Sequence, residues 1–304
     1  MKCVIAGGTG VVGNGLADLF LNHGYDVTIL TRRFNRTDGK RKYVKWLGEG
    51  DHPENELEGV DYVINLAGTS LNEGRWSQKR KAQIMNSRLR TVEELIRIIN
   101  KLEHKPKVLI NASAIGIYPP SDEAVYTERA ELKADDFLGT VVQRWEEKAQ
   151  QFEKMQIRTV FARFGLILAN EGGALPLLQL PYRMFFGGKI GSGNQWVSWI
   201  HIVDAARALF FIAENEQISG PVNVTAPQPV RMHAFGKTVA KSLHRPDWFV
   251  VPSKVLQLLL GEKSMLVLKG QHVYPEKLMD SGFSFSYPNL NSALLQLEKE
   301  KKER

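Results

Sequence analysis

The stretch Met1–Gly13 constrains the fold of this 304-residue chain more than any other. The segment Lys2–Ala6 is short and apolar, as a buried strand is, and it runs directly into the glycine-rich segment Gly7–Gly13. Apolar residues at helical spacing follow, up to His23 and Gly24. A strand, a glycine turn and a helix together present free backbone N–H groups and the positive end of a helix dipole. The stretch therefore predicts a phosphate-binding site.

The spacing of the glycines separates two kinds of phosphate-binding loop. A P-loop carries a lysine and then a serine or threonine after its last glycine, whereas Asn14 and Gly15 follow Gly13 here. The frame of Gly7, Gly10 and Gly13 instead resembles the T-G-x-x-G-x-x-G fingerprint of short-chain dehydrogenase/reductase proteins, particularly their extended class. A tight turn that binds nothing is the alternative. The flanking strand and helix favour dinucleotide binding.

A second element of the same resemblance lies after a later strand. The sequence Asn65-Leu66-Ala67-Gly68 is similar to the N-x-A-G element of these proteins. There the end of the strand backs onto the adenine ribose, and a large side chain would collide with it. Small residues that serve only helix packing are the alternative for each position.

The residues after the second predicted strand, Tyr25–Thr31, distinguish NAD from NADP(H). An NAD enzyme usually places an acidic residue on the ribose 2′-hydroxyl, whereas an arginine accommodates a 2′-phosphate. Arg32 and Arg33 follow this strand, and the next acidic residue is Asp38. The pattern favours NADP(H), with a basic surface loop as the alternative. The predicted cofactor-binding residues are Gly7, Thr9, Gly10, Val11, Val12, Gly13, Arg32, Arg33, Leu66, Ala67 and Gly68.

Strand-like and helix-like segments alternate through the first two-thirds of the chain. Strands are predicted at Val60–Gly68, Lys107–Ser113 and Ile157–Leu168, with helices at Trp76–Leu102 and Asp135–Glu147 between them. This alternation predicts an α/β protein with a Rossmann-type, doubly wound parallel sheet and a ligand at the carboxyl ends of the strands.

Beyond Pro229 the pattern becomes mostly helical. We expect an NADP-binding domain over residues 1–225, with segments near 170–195 that cross to a smaller C-terminal substrate-side lobe over residues 226–304. The helices predicted in this lobe are Met232–Leu243, Ser253–Leu260 and Leu290–Glu300.

The residues expected for catalysis are only partly present. In the extended reductases and epimerases that the chain resembles, a Tyr-x-x-x-Lys pair transfers the proton, and the lysine lowers the pKa of the tyrosine. The stretch Asn111–Tyr118 resembles their S-S-x-x-x-Y segment, which makes Ser113 and Tyr118 candidate catalytic residues, with packing as the alternative. The usual catalytic serine falls on Ala114, and the helix Asp135–Glu147 contains neither tyrosine nor lysine.

A narrower resemblance covers nearly the whole chain. The segments Arg144–Glu146, Trp199–Asp204 and Gly270–Leu278 are similar to the atypical "epimerase family" of short-chain proteins, which implies NADP(H) binding. Two functions follow. One is an oxidoreductase or nucleoside-diphosphate-sugar epimerase-like protein acting on a small molecule, with a sugar nucleotide among the candidates. The other is a protein that senses NADP(H) without turnover.

Composition limits the partners of the chain. Forty Lys and Arg against 33 Asp and Glu give a net charge of +7, but the basic residues are dispersed and no nucleic-acid-binding motif accompanies them, so no nucleic-acid partner is predicted. The apolar run Val255–Leu260 is far too short for a membrane span, and the N-terminus lacks the apolar core of a signal peptide. The single cysteine, Cys3, fits a reducing cytoplasm. A homodimer is also compatible with the sequence.

Two further groups of residues have both a structural and a functional interpretation. The seven histidines lack metal-binding spacing, so no metal is predicted, and His201 with Asp204 is interpreted as a helix start. Four aromatic residues are candidates for an apolar pocket, with core packing as the alternative: Phe185, Phe186, Trp196 and Trp199.

Overall fold

The computed structural model describes residues 1–131 and 133–303. Strands occur along its whole length, most of them in the first two-thirds. They are β1 Lys2–Ala6, β2 Asp26–Thr31, β3 Arg36–Asp38, β4 Arg41–Lys45, β5 Tyr62–Asn65, β6 Val108–Ala114, β7 Val125–Tyr126, β8 Arg158–Phe164, β9 Leu166–Leu168, β10 Gly188–Ile190, β11 Trp196–Val197, β12 Trp199–His201, β13 Gly220–Val224, β14 Val230–Arg231, β15 Phe249–Val251 and β16 His272–Val273.

The helices alternate with these strands and dominate the C-terminal region. Side chains cap several of them. Ser77 accepts a hydrogen bond at the start of the second helix, Asp136 at the start of the third and His201 at the start of the fifth. The helices are α1 Val11–Asn22, α2 Gln78–Lys101, α3 Phe137–Ala149, α4 Leu175–Arg183, α5 Ile202–Glu214, α6 Met232–Leu243, α7 Ser253–Leu260, α8 Met265–Leu268, α9 Glu276–Asp280 and α10 Leu290–Glu303.

The described strands include one large sheet of eight, in the order β13-β8-β6-β5-β1-β2-β4-β3. All neighbours in it run parallel except β3, which is antiparallel to β4. The first strand lies in the middle, where Cys3 is opposite Val27 of β2 and Tyr62 of β5. The predicted Rossmann-type parallel sheet is confirmed.

Both faces of this sheet are covered by helices. Successive side chains of a strand point to opposite faces, so Ile5 packs with Phe20 of α1 and Leu209 of α5, while Val4 packs with Leu95 of α2 and Trp145 of α3. Because neither face meets water at the centre of the sheet, β1 and β5 are buried almost throughout, whereas β3 at the edge is polar and exposed.

A third core joins the segment after β8 to the C-terminal region. Leu168 and Trp199 pack there with Phe235 of α6 and Leu294 of α10. Chain beyond residue 225 also reaches the main core, since Leu278 belongs to the cluster between the sheet and α1. The helices α6, α7 and α10 begin at their predicted residues.

The strand predicted over Ile157–Leu168 is wrong as one element. It is divided into β8 and β9, and β9 leaves the large sheet to pair with β12. At Gly165, between them, a Cβ atom would lie 2.5 Å from the carbonyl oxygen of Ser198 and 2.9 Å from Cγ2 of Thr225. The chain therefore passes too close to its neighbours for a side chain at this position. The apolar residues on both sides of Gly165 continue the strand pattern in the sequence, so the pattern does not show the division.

Candidate functional site

A large cleft opens where β1, β5, β6 and β8 end. Its volume is about 1020 Å³, at the upper limit of single small-molecule sites, which occupy roughly 300–1,000 Å³. The glycine loop lines one side, the end of β6 and a face of α3 line the middle, and residues 164–190 and 251–271 contribute to the other side. In open α/β sheets, ligands bind outside the carboxyl ends of the strands.

Two glycines of the loop, Gly7 and Gly13, are packed too closely for a side chain to replace them. Gly7 has a φ of +78°, and a Cβ atom there would lie 2.8 Å from both carbonyl atoms of Leu66. A Cβ atom on Gly13 would lie 2.5 Å from the carbonyl oxygen of Gly7. The loop is closed by the N–H of Gly10, which donates to the same oxygen at 3.0 Å. The backbone is thus the surface that a ligand meets.

The start of α1 faces the cleft. Gly10 is its N-cap, and no side chain in the described part of the protein caps it. The N–H of Asn14 donates to the carbonyl of Gly10 at 2.8 Å, so the N–H groups of Val11, Val12 and Gly13 precede the first intrahelical bond. All three residues line the cleft. Free N–H groups at the positive end of a helix dipole fit a pyrophosphate.

The other predicted cofactor residues divide between the wall of the cleft and its surroundings. Gly7, Gly10 and Leu66 line it together with the start of α1. Thr9 and Gly68 are exposed, and Ala67 is half-buried. The turn that carries Leu66 is held by buried Asn65, whose side chain accepts from the N–H of Ala67 at 3.2 Å.

Arg32 and Arg33 are exposed immediately after β2, beside the strand that leads into the glycine loop. The N–H of Arg33 donates to Oγ1 of Thr31 at 3.4 Å. The nearest acidic residue along the chain, Asp38, is engaged by Arg36 at 3.1 Å. The end of β2 is therefore basic, as a 2′-phosphate requires.

Arg88 of α2 is a cleft residue that sequence reasoning missed. Its Nη1 donates to the carbonyl oxygens of Ile84 at 3.0 Å and Thr69 at 3.2 Å, and its guanidinium lies 5.1 Å from the centre of the Trp145 ring. Burial lowers its pKa to about 10, so it stays charged at neutral pH. No carboxylate among residues 1–131 and 133–303 pairs with it, which makes it a group that could hold an anion. Nothing in the local sequence distinguishes it from the other arginines of this helix.

Ser113 lies at the end of β6 and lines the cleft. Its Oγ donates to Oε1 of Glu146 at 2.5 Å. Glu146 is also bound by Arg163, whose Nε and Nη2 donate at 2.9 and 2.8 Å in a bidentate pair. Both partners are buried. Burial lowers the pKa of Arg163, but the hydrogen bonds that it donates to the Glu146 carboxylate raise this pKa well above its usual range. The serine is thereby fixed by a rigid charged pair.

Tyr118 lies in the core instead of on the cleft wall. Its side chain is fully buried and stacks on Tyr126 at 5.1 Å. The hydroxyl donates to Oδ1 of Asn223 at 2.8 Å and accepts from Nη1 of Arg163 at 2.9 Å. Burial raises its pKa, which disfavours a phenolate. Ser113 and Tyr118 therefore meet through Arg163, but only the serine reaches the cleft.

The face of α3 towards the cleft is apolar. Leu138, Val141 and Val142 line the cleft there, on the helix that carries the Tyr-x-x-x-Lys pair in the proteins the chain resembles. None of these side chains can transfer a proton, so they do not replace the tyrosine and lysine that the sequence lacks at this helix.

The structural interpretation of His201 and Asp204, as residues at the start of a helix, is confirmed. Nδ1 of His201 accepts from the N–H of Val203 at the start of α5. Asp204 is fully buried and accepts from the N–H groups of Ser286 and Tyr287 at 2.9 and 2.8 Å. In the described part of the chain, no group of three or more His, Cys, Asp or Glu side chains could hold a metal ion.

The four aromatic candidates for an apolar pocket have different positions. Trp196 lines the cleft, whereas Trp199 is fully buried in the third core. Phe185 and Phe186 are more than half exposed. Among residues 1–131 and 133–303, the helices are all too short or too polar to span a bilayer.

A parallel α/β sheet, a glycine loop and an open helix start define a dinucleotide-binding protein of the Rossmann type. Residues 3–137 match the model of the NAD dependent epimerase/dehydratase family, and residues 251–297 match a domain of unknown function, DUF1731. Epimerase family protein YfhF of Bacillus subtilis (strain 168) is 48% identical to the chain over 303 residues, covering 99% of each.

Two solved structures show the same fold. That of human epimerase family protein SDR39U1 (isoform 2), determined with NADPH, superimposes with a TM-score of 0.86 at 30% identity and covers 98% of this chain and 99% of that one. That of a nucleoside-diphosphate sugar epimerase from Corynebacterium glutamicum gives a TM-score of 0.78 at 26% identity, covering 98% of this chain and 58% of that one. The chain belongs to the epimerase family, and the predicted resemblance to its atypical short-chain members is confirmed.

Proposed function

We propose that the protein binds NADP(H) in the cleft and transfers a hydride between it and a small carbonyl compound or alcohol. The observation that carries this proposal is the open start of α1, where residues 11–13 line the cleft beside a glycine loop in which Gly7 and Gly13 have no room for a Cβ atom. The human relative determined with NADPH supports it.

The preference for NADP(H) over NAD(H) depends on Arg32 and Arg33. Their guanidinium groups are exposed after β2 and can donate to a 2′-phosphate, while the nearby Asp38 is engaged by Arg36. In this arrangement Gly7, Thr9, Leu66, Ala67 and Gly68 surround the dinucleotide, and Arg88 contributes a positive charge inside the cleft.

Replacing one arginine tests this assignment. We expect Arg32→Ala to raise the Kd for NADPH roughly 10- to 100-fold, the value of a charge-assisted hydrogen bond, and to change the Kd for NADH less than twofold. Fluorescence titration of the purified protein measures both constants. The control is Lys40→Ala, an exposed cation in the turn between β3 and β4. Equal losses for the two cofactors would contradict the 2′-phosphate contact.

We further propose that Ser113 contacts the oxygen of the substrate. Bound NADPH would supply a hydride to the carbonyl carbon, and the carbonyl oxygen would take its proton from water. In the opposite direction NADP would accept the hydride of an alcohol, and the hydroxyl proton would pass to water. Ser113 lines the cleft, and its Oγ donates to Glu146. Its lone pairs can accept from a substrate hydroxyl, and its O–H can turn from Glu146 to donate to a substrate carbonyl. We assign residues 1–225 to the cofactor domain and 226–304 to the substrate side, with segments near 170–195 crossing between them.

An NADP(H)-sensing protein without turnover is the second candidate, because the face of α3 towards the cleft carries Leu138, Val141 and Val142. The two functions differ in whether NADPH is consumed when carbonyl compounds are added. Turnover that falls at least tenfold in Ser113→Ala, with unchanged NADPH affinity, supports the oxidoreductase. Binding of NADPH without turnover of any compound supports the sensor.

A further inference from the structure

The side of the cleft away from the glycine loop is lined by aliphatic side chains from α4, β15, α7 and α8, which we name the apolar half. Its members include Leu177, Leu178, Val251, Leu256, Leu260 and Leu266. These residues are distant in the chain and converge on one space. Burying hydrocarbon against such a wall is favourable by about 25 cal/mol per Å².

Charged groups are few in the apolar half. Among the described residues that line it, the charged ones are Glu171, Lys263 and Lys269. Nζ of Lys263 donates to the carbonyl oxygen of Asn72, and Lys269 is exposed. A nucleoside diphosphate needs several charged or backbone donors converging on its phosphates. The lining instead offers one engaged lysine, one exposed lysine and one carboxylate.

The apolar wall continues to the middle of the cleft. There Leu138, Val141 and Val142 of α3 face the same space as Ser113 at the end of β6. A ligand that fills the apolar half would therefore place one end beside a single fixed hydroxyl and the remainder against hydrocarbon. Recognition by so few polar groups suits a molecule with one polar end.

The outer surfaces of the same helices are also apolar. Leu180 of α4 is 50% exposed, and Leu258 and Leu259 of α7 are 80% and 61% exposed. None of the residues of α7 is buried. The helices that line the apolar half therefore also carry apolar side chains on their outer faces.

We propose that the substrate is an uncharged molecule with a hydrocarbon body and one carbonyl or hydroxyl end, and not a sugar nucleotide. The inference rests on the proposed function for its reactive end, since that function places the polar group beside Ser113. Its hydrocarbon body is assigned from the apolar half alone.

A series of straight-chain ketones tests the substrate class. The full-length protein, saturated with NADP so that no ketone is reduced during the measurement, is titrated with hexan-2-one, octan-2-one and decan-2-one by isothermal titration calorimetry, and separately with UDP-glucose. We expect the affinity to rise about fourfold for each added methylene, as complete burial of that group predicts, and UDP-glucose to bind more weakly than decan-2-one. Equal affinity along the series, or tighter binding of UDP-glucose, would overturn the proposal.

Two matched variants of α4 test whether decan-2-one binds inside the cleft. Leu177 and Leu180 lie one turn apart on α4 and are 56% and 50% exposed, but only Leu177 lines the cleft. Leu177→Asp should raise the Kd for decan-2-one at least tenfold, and Leu180→Asp should change this Kd less than twofold. Equal weakening by both variants would place the ketone on the outer surface and reject the cleft.

The same series without NADP, together with the fluorescence titration of NADPH, separates the two proposals. If NADPH fails to bind but the ketones still show the dependence on chain length and on Leu177, the proposed function fails and the substrate class stands. If NADPH binds and the ketones show neither dependence, the substrate class is wrong and cofactor binding stands.

Discussion

At the scale of single residues, the hydroxyl of Tyr118 is used for structure. It joins Asn223 and Arg163 inside the core. Tyr118→Phe leaves the Asn223 oxygen without this donor, so the free energy of unfolding should fall by about 1–3 kcal/mol. Urea denaturation measures the loss, and the Kd for NADPH should stay within twofold of its original value.

Tyr126 provides the control for this residue. It is buried and stacks on Tyr118, but in the described part of the protein no hydrogen bond reaches its hydroxyl, and burial alone raises its pKa. Tyr126→Phe should therefore change stability by less than about 0.5 kcal/mol. Lost turnover in Tyr118→Phe at unchanged stability would return Tyr118 to a catalytic role.

At the scale of elements, two glycines of α1 allow the effect of close packing on stability to be distinguished from the effect of helix propensity. A Cβ atom on Gly13 would lie 2.5 Å from the Gly7 oxygen and 2.6 Å from Cα of Gly8, whereas one on Gly15 would meet only Cβ of Ala206 at 3.8 Å. Gly13→Ala should raise the Kd for NADPH at least tenfold and destabilise the protein by roughly 1–3 kcal/mol.

Gly15→Ala should have the opposite effect on stability. The helix gains propensity worth about 0.5–1 kcal/mol without a clash, and NADPH affinity should not change. Thermal unfolding and fluorescence titration of the two variants give the comparison. Unchanged cofactor affinity in Gly13→Ala would show that the loop geometry is not the binding surface.

At the scale of the whole molecule, buried carboxylates set how stability depends on pH. Glu54 accepts hydrogen bonds from Arg97 and Lys101, and these hold its pKa well below its usual value of 4.5. Since the folded pKa is the lower one, Glu54 contributes stability above about pH 4.5 and loses it as the pH falls towards the folded value. Glu128 acts in the opposite sense, because burial raises its pKa.

Glu54→Gln should therefore lower the free energy of unfolding at neutral pH by roughly 1–3 kcal/mol and flatten its decline in acid. Urea denaturation at about pH 7, 5 and 4 gives the profile. The control is Glu56→Gln on the same turn, which removes an ion pair with exposed Lys42 and should cost less than about 1 kcal/mol. Parallel profiles for the original protein and Glu54→Gln would assign the acid sensitivity elsewhere.

The parts of this protein that the sequence determined by itself are local. The strand Lys2–Ala6, the spacing of Gly7, Gly10 and Gly13 and the basic end of β2 lie within about thirty residues, and short-range geometry makes them readable. The alternation of strands and helices likewise predicted the parallel sheet.

Only the tertiary structure decided which side chains share the cleft. Ser113, Glu146 and Arg163 form one hydrogen-bonded group although they come from three separate elements. The burial of Tyr118 depends on Asn223, 105 positions away in sequence, and the apolar half joins α4 to α7 and α8. Contacts of this kind depend on how elements pack, which local patterns do not encode.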